Sequence, residues 1–160
     1  MTNSTTQRNE QRIVIHTDGA CIGNPGPGGW AVLFQTLEGE QEIRRKTISG
    51  GTQDTTNNRM EMLAAIEALE RLKNREKPVS IISDSQLLIK GMNDWLHGWK
   101  LNGWKSSSGK QVKNVDLWKR LDALDQDRLI SWEWVKGHAG DPFNELVDGL
   151  ANASALRQAG

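Results

Sequence analysis

Apolar and polar positions change rhythm several times along the chain, and each rhythm predicts an element. Arg12 to Asp18 (RIVIHTD) is a β-branched run that reads as a strand and ends on an acid. GACIGNPGPGG follows as a Gly/Pro loop, then a second strand-like run from Trp30 to Leu37, then QEIRRKTISGG, which alternates more loosely. Short connections among these three predict an antiparallel meander. In TTNNRMEMLAAIEALERLKNREK, Met62, Ala65, Ile66, Leu69 and Leu72 recur at spacings of 3, 4 and 7, the mark of an amphipathic helix opened by Asn/Thr capping residues. Pro78 stops that helix, and Val79 to Ser83 (VSIIS) is an apolar strand that again ends on an acid, Asp84. Strand, long helix and strand in sequence require a parallel crossover.

Residues 85–126 read as helix in pieces, broken at Gly103 and at SSSGK (106–110). Leu129 to Val135 (LISWEWV) alternates as one more strand. After the GHAGDP loop, Phe143 to Leu156 reads as a closing helix, with Asp141 as N-cap and Pro142 at the first helical position. The sum is an α/β chain with a mixed sheet of about five strands and helices packed on it. It forms one domain over 12–157 behind a polar arm, 1–11.

Composition narrows the function classes. The 160 residues are 36% hydrophobic and 25% charged, the balance of one ordinary globular domain. The longest clearly apolar run, Trp30 to Phe34, is far short of the roughly 18 residues a membrane span needs, and the polar first residues do not read as a leader. The single Cys21 excludes an internal disulfide and a four-cysteine zinc site, which points to a reducing, cytoplasmic setting. Lys+Arg and Asp+Glu balance at 20 each, but the balance is uneven along the chain. Between Lys90 and Arg120 stand seven lysines and arginines against only Asp94 and Asp116, so the rest is net acidic. Such asymmetry fits either a basic binding surface or an uneven solvated one.

The acids carry the candidate chemistry. Asp18 and Asp84 each end an apolar strand, and if those strands are neighbours both carboxylates emerge at one edge of the sheet. Like charges crowded there are costly unless a cation neutralises them, and an all-oxygen set suits Mg²⁺ or Mn²⁺. Taken singly, each reads first as a strand-terminating turn acid. Glu61 has two readings as well: the third helical position of an N-x-x-E capping box with Asn58 as N-cap, or an acid at the border of the buried stripe, facing the sheet edge. Asp148 alone is a solvated helix acid. His138, between glycines, is either a mobile proton carrier or an exposed turn residue.

Longer motifs join these residues. DGACIGNPGPGG (18–29) resembles the opening motif of type 1 ribonuclease H of the bacterial kind. TTNNRMEMLAAIEAL resembles that family's first helix, SDSQ its fourth strand end, WLHGWKLNGWKSSSGKQVKNVDLWKRLD its basic handle (about 90–115), and WEWVKGHAGDPFNELVDGLA its closing strand, histidine loop and last helix. The resemblance covers 12–157 in order. It implies the ribonuclease H-like fold: a five-stranded mixed sheet, antiparallel in its first three strands, flanked by helices. It also implies a monomeric endonuclease that cuts the RNA strand of RNA–DNA hybrids without sequence specificity, leaving 3′-hydroxyl and 5′-phosphate ends. Asp18, Glu61, Asp84 and Asp148 resemble the family's carboxylates for two Mg²⁺ ions, for which Mn²⁺ can substitute, and His138 resembles its loop histidine.

The same resemblance assigns substrate contacts. Gly19, Cys21, Asn57, Asn58 and Gln86 match positions near the cut, and Asn24 and Thr56 match positions that hold a DNA-strand phosphate. Lys100, Lys105 and Lys110 would attract phosphate. Trp95, Trp99 and Trp104 are expected mainly to pack the handle, with one, Trp95, touching the DNA strand. The chain departs from the family pattern at Leu101 and Asn102, usually more basic, at Phe143, Leu146 and Val147, and at Trp30. A longer C-terminal tail and a separate N-terminal hybrid-binding module are not expected. The rivals are a DNA-cutting resolvase or integrase-like core and a non-catalytic hybrid-binding module.

Overall fold

The computed structural model describes residues 10–73 and 75–160, so the expected arm over 1–11 lies outside the described residues except for Glu10 and Gln11. The elements in chain order are β1 (Gln11–Cys21), β2 (Gly26–Glu38), β3 (Gln41–Thr55), α1 (Asn57–Glu70), β4 (Val79–Ser83) and α2 (Gln86–Lys90). A π-helical turn (Gly91–Trp95) then leads into α3 (Leu96–Leu101), followed by α4 (Val115–Asp125), β5 (Ile130–Trp134) and α5 (Pro142–Ala159). The strands form one sheet in the order β3-β2-β1-β4-β5. β1, β2 and β3 pair antiparallel, whereas β4 joins β1, and β5 joins β4, in parallel. The expected meander and crossovers are both present.

Much of the run expected as a Gly/Pro loop is strand. Gly19, Ala20 and Cys21 extend β1 by pairing with Trp30, Gly29 and Gly28, which leaves only residues 22–25 outside the ladder. The glycines allow this because of what lies beside them. A Cβ on Gly29 would strike the backbone of Ala151 and Ala155, and one on Gly28 the side chain of Thr55. Periodicity alone undercounts such strands, because glycine supplies no side chain to alternate.

The sheet is covered on both faces. Ile15, Val32 and Ile81 pack on one face with Met62, Ile66 and Leu69 of α1 and with Leu88, Trp118 and Leu121. On the other face, Ala31 and Leu33 pack against Val147 and Ala151 of α5. α1 is capped by Thr56, whose Oγ1 accepts from Arg59 N at 3.3 Å. The expected Asn58 cap is therefore corrected: Asn58 lies inside the first turn. Glu61 sits beyond the reach of a capping box, so capping does not explain it.

The segment expected as the handle runs through the π-helical turn, α3 and the loop before α4. Gly91 allows the π-helical turn to pass close to Trp118, whose ring an added Cβ would strike. The Trp99 ring meets Trp118 edge-on at 5.2 Å, and Trp99 and Trp104 both pack against the core. Trp95 remains 40% exposed. Among the described residues no helix is long and apolar enough to cross a membrane.

Candidate active site

The parallel register brings the first two acids together. Thr17 of β1 pairs with Ser83 of β4, so Asp18 and Asp84 are the next residue on each strand. The turn after β4 is fixed locally. Ser83 Oγ accepts from Ser85 N at 3.0 Å, and Ser85 caps α2 by accepting from Leu88 N at 3.2 Å. Glu61 arrives from α1, which lies so close to β1 that a Cβ on Gly19 would collide with the backbone of Met60 and Glu61. Each of Asp18, Glu61 and Asp84 offers one carboxylate oxygen, and the three lie within 4.8 Å of one another.

Their electrostatics are those of a site awaiting positive charge. Asp18 is 3% exposed. Burial, and then the Asp84 charge, push its pKa up to about 8, while Gly19 N donates to its Oδ1 at 3.0 Å. Burial, and then the charges of Asp18 and Asp84, hold Glu61 well above the usual carboxylate range. Glu61 Oε1 is buried without a hydrogen-bond partner among the described residues. An orphaned buried oxygen is costly. Here a cation would satisfy it. The all-oxygen donor set fits a hard divalent ion, so this cluster can hold one.

The structure treats the other expected residues differently. Asp148 is half-buried on α5, beside Asp18 and adding to its raised pKa, but it stands outside the three-acid group. Its Oδ1 accepts from Asn152 Nδ2 at 3.3 Å. His138 is exposed in the β5–α5 loop with φ 56°, and among the described residues no hydrogen bond joins it to the carboxylates. Its neighbour Gly137 passes so close that a Cβ there would lie 2.7 Å from Asp84 Oδ2.

Asn24 and Thr56 meet at the start of α1, where Asn24 Oδ1 accepts from Asn57 N at 2.9 Å. Asn57, Asn58 and Gln86 are exposed, all within four residues of Glu61 or Asp84. Cys21 points its Sγ at the carbonyls of Gly26 and Thr55, 3.4 Å from each. In the handle, Lys105 and Lys110 are exposed, but Lys100 is engaged by Asp122 at 3.1 Å.

Two residues outside the expected set touch the cluster. Asn144 Nδ2 donates to Asp84 Oδ2 at 3.3 Å, and Trp134 Nε1 donates to the Asp84 carbonyl at 3.1 Å. Neither carries a sequence signal of its own, although Asn144 precedes Asp148 by one helical turn and so shares its face.

The RNase H family model matches residues 10–156. The chain belongs to the RNase H family. A curated Ribonuclease H from Maricaulis maris is 57% identical over 139 residues, 87% of this chain and 90% of the relative. Among solved structures, LC9-RNase H1, described as a type 1 RNase H with the type 2 active-site motif, superposes with a TM-score of 0.82 at 31% identity. That match covers 93% of this chain and 74% of the other. LC11-RNase H1, solved in complex with an RNA/DNA hybrid, shares the fold with a TM-score of 0.67 at 23% identity, covering 93% and 100%. The RNase H match spans every element that builds the cluster.

Proposed function

We propose that this chain is an endonuclease that hydrolyses the RNA strand of RNA–DNA hybrids at internal positions, leaving 3′-hydroxyl and 5′-phosphate ends. The observation that carries the reading is the three-carboxylate cluster with its orphaned Glu61 oxygen. In this reading Asp18, Glu61, Asp84 and the adjacent Asp148 hold Mg²⁺, for which Mn²⁺ can substitute. Two such ions, when bound, supply positive charge to the phosphate oxygens and make the attacking water more acidic.

The chain's own residues do the rest. Asp18 and Glu61, reluctant to ionise without a cation, give up their protons as the site fills. His138, exposed on its loop, takes a proton on an imidazole nitrogen or helps product leave. The backbone at Gly19 and Cys21 and the amides of Asn57, Asn58 and Gln86 reach the shallow minor groove of an A-like duplex, where the 2′-hydroxyl marks RNA. Asn24 and Thr56 hold a DNA-strand phosphate. Trp95, Lys105 and Lys110 attract the duplex from the handle, with Lys100 drawn in less because Asp122 holds it. Contacts to phosphate and sugar read no bases, so cleavage is sequence-independent. The enzyme acts as a monomer in the cytoplasm.

Incubation of labelled RNA–DNA, DNA–DNA and RNA–RNA duplexes, with Mg²⁺ or with EDTA, tests the reading. Cutting of the RNA strand of the hybrid alone, and only with Mg²⁺, is the expected result. Cleavage of DNA–DNA would favour the resolvase-like rival, and hybrid binding without cleavage would favour the non-catalytic module.

A further inference from the structure

We infer that Asn144 is a positioning residue for the cluster: its side-chain amide holds the Asp84 carboxylate in the orientation from which it shares a divalent cation with Asp18 and Glu61. This rests on the reading of those carboxylates as a cation site.

Asp84 follows a strand end, where its side chain has no sheet neighbour beyond it to fix its rotamer. Its main chain is held by Trp134 Nε1 at its carbonyl and by the Ser83–Ser85 turn. Its carboxylate is held separately, from α5. Asn144 is 3% exposed and donates through Nδ2 to Asp84 Oδ2, while Gly137 closes on the same oxygen. An ionised carboxylate only accepts hydrogen bonds, so the nitrogen end of the amide is the end that can face it. With Oδ2 engaged, the second oxygen is left for a cation.

Asn144 is itself anchored. Its backbone N–H donates to Asp141 Oδ1 at 3.1 Å, within the cap that starts α5. The same helix face carries Asp148 one turn later, beside Asp18. One rigid helix therefore holds one aspartate by an amide and supplies another carboxylate. The residue type fits the task. A neutral amide orients Asp84 without adding charge, whereas Lys or Arg would repel the cation and Asp would repel Asp84.

The test is calorimetric titration of the full chain with Mn²⁺ alone, paired with hybrid-cleavage kinetics. Asn144→Ala should bind Mn²⁺ roughly 10–100-fold more weakly, the usual effect of removing a group that orients a ligand. At a Mn²⁺ concentration that saturates the wild type, its kcat should fall and then recover as Mn²⁺ is raised, with KM for the hybrid unchanged. Ser154→Ala, at a buried α5 position packed against Gly29 of β2, controls for loosened helix packing. If Asn144→Ala does not fold, Asn144→Leu, branched at Cγ in the same way and without a donor, takes its place. A wild-type-like Mn²⁺ isotherm in the Asn144 variant, or equal weakening in Ser154→Ala, overturns the inference. If Asp84→Asn also binds Mn²⁺ like the wild type, it is the cation-site reading that fails.

Discussion

Asp18 and Asp84 each stand one residue beyond Thr17 and Ser83, the last pair shared by the parallel strands β1 and β4. That register alone sets two carboxylates side by side, and Glu61 meets them from α1. Asp18→Asn or Asp84→Asn, nearly isosteric, should therefore abolish cleavage while leaving hybrid binding in EDTA close to wild type. Near-normal turnover in either variant would contradict the proposed cation site.

Without a cation, the raised pKa of Asp18 makes a linkage prediction. A carboxyl held at about 8 when folded, against 3.8 as its ordinary value, binds more protons folded than unfolded. Stability should thus fall as pH rises from about 4 to about 8 in EDTA. Saturating Mg²⁺ should flatten that slope. Asp18→Asn should flatten it too, raising stability at pH 8 in EDTA by about 1–3 kcal/mol. Thermal melts across pH, with EDTA and with Mg²⁺, measure both effects.

His138→Ala should be slow but active. The histidine is exposed on its loop. Its loss should cost about 10²-fold in kcat, the low end for an acid–base group. Loss of all activity, as in Asp18→Asn, would mean that His138 has a different role.

The handle lysines should not contribute equally. Changing Lys105 and Lys110 to Ala should flatten the plot of log affinity against log salt by up to about 1.8, at roughly 0.9 per phosphate contact. Adding Lys100→Ala should contribute less than a full contact, because Asp122 already holds that side chain. The losses should appear in KM rather than kcat. An unchanged salt slope in the triple variant would make the handle purely structural.

Gly19→Ala should destabilise the fold and inactivate the enzyme together, since its Cβ meets the backbone that carries Glu61. An overpacked site typically costs about 1–3 kcal/mol. Wild-type melting and kcat in this variant would show that α1 has room to retreat.

The sheet and its crossovers were legible because β-branched runs and a 3.6-residue period report their own elements. The Asp141 cap and Pro142 announced α5 in the same way. The reach of β1 and β2 into the glycines was not legible, because what packs against Gly29 is α5 and what packs against Gly28 is Thr55 and Met60, all far away in sequence. Thr56 rather than Asn58 capped α1 because three adjacent residues, Thr56, Asn57 and Asn58, all suit a cap, and the position of β3 chose among them. Asn144 and Trp134 were invisible for a related reason. A lone amide or indole acquires meaning only from the carboxylate it is folded against.

The placement of β1 between β2 and β4 has a consequence for how the protein is made. β1 leaves the ribosome before either of its neighbours, yet one of its edges stays open until β4 has emerged, and the face that carries Asp18 is not closed until α5 has been synthesised. A nascent chain therefore keeps part of β1 uncovered while the elements from β2 to α5 are being made, and the site is not assembled until α5, which carries Asn144 and Asp148, has joined it.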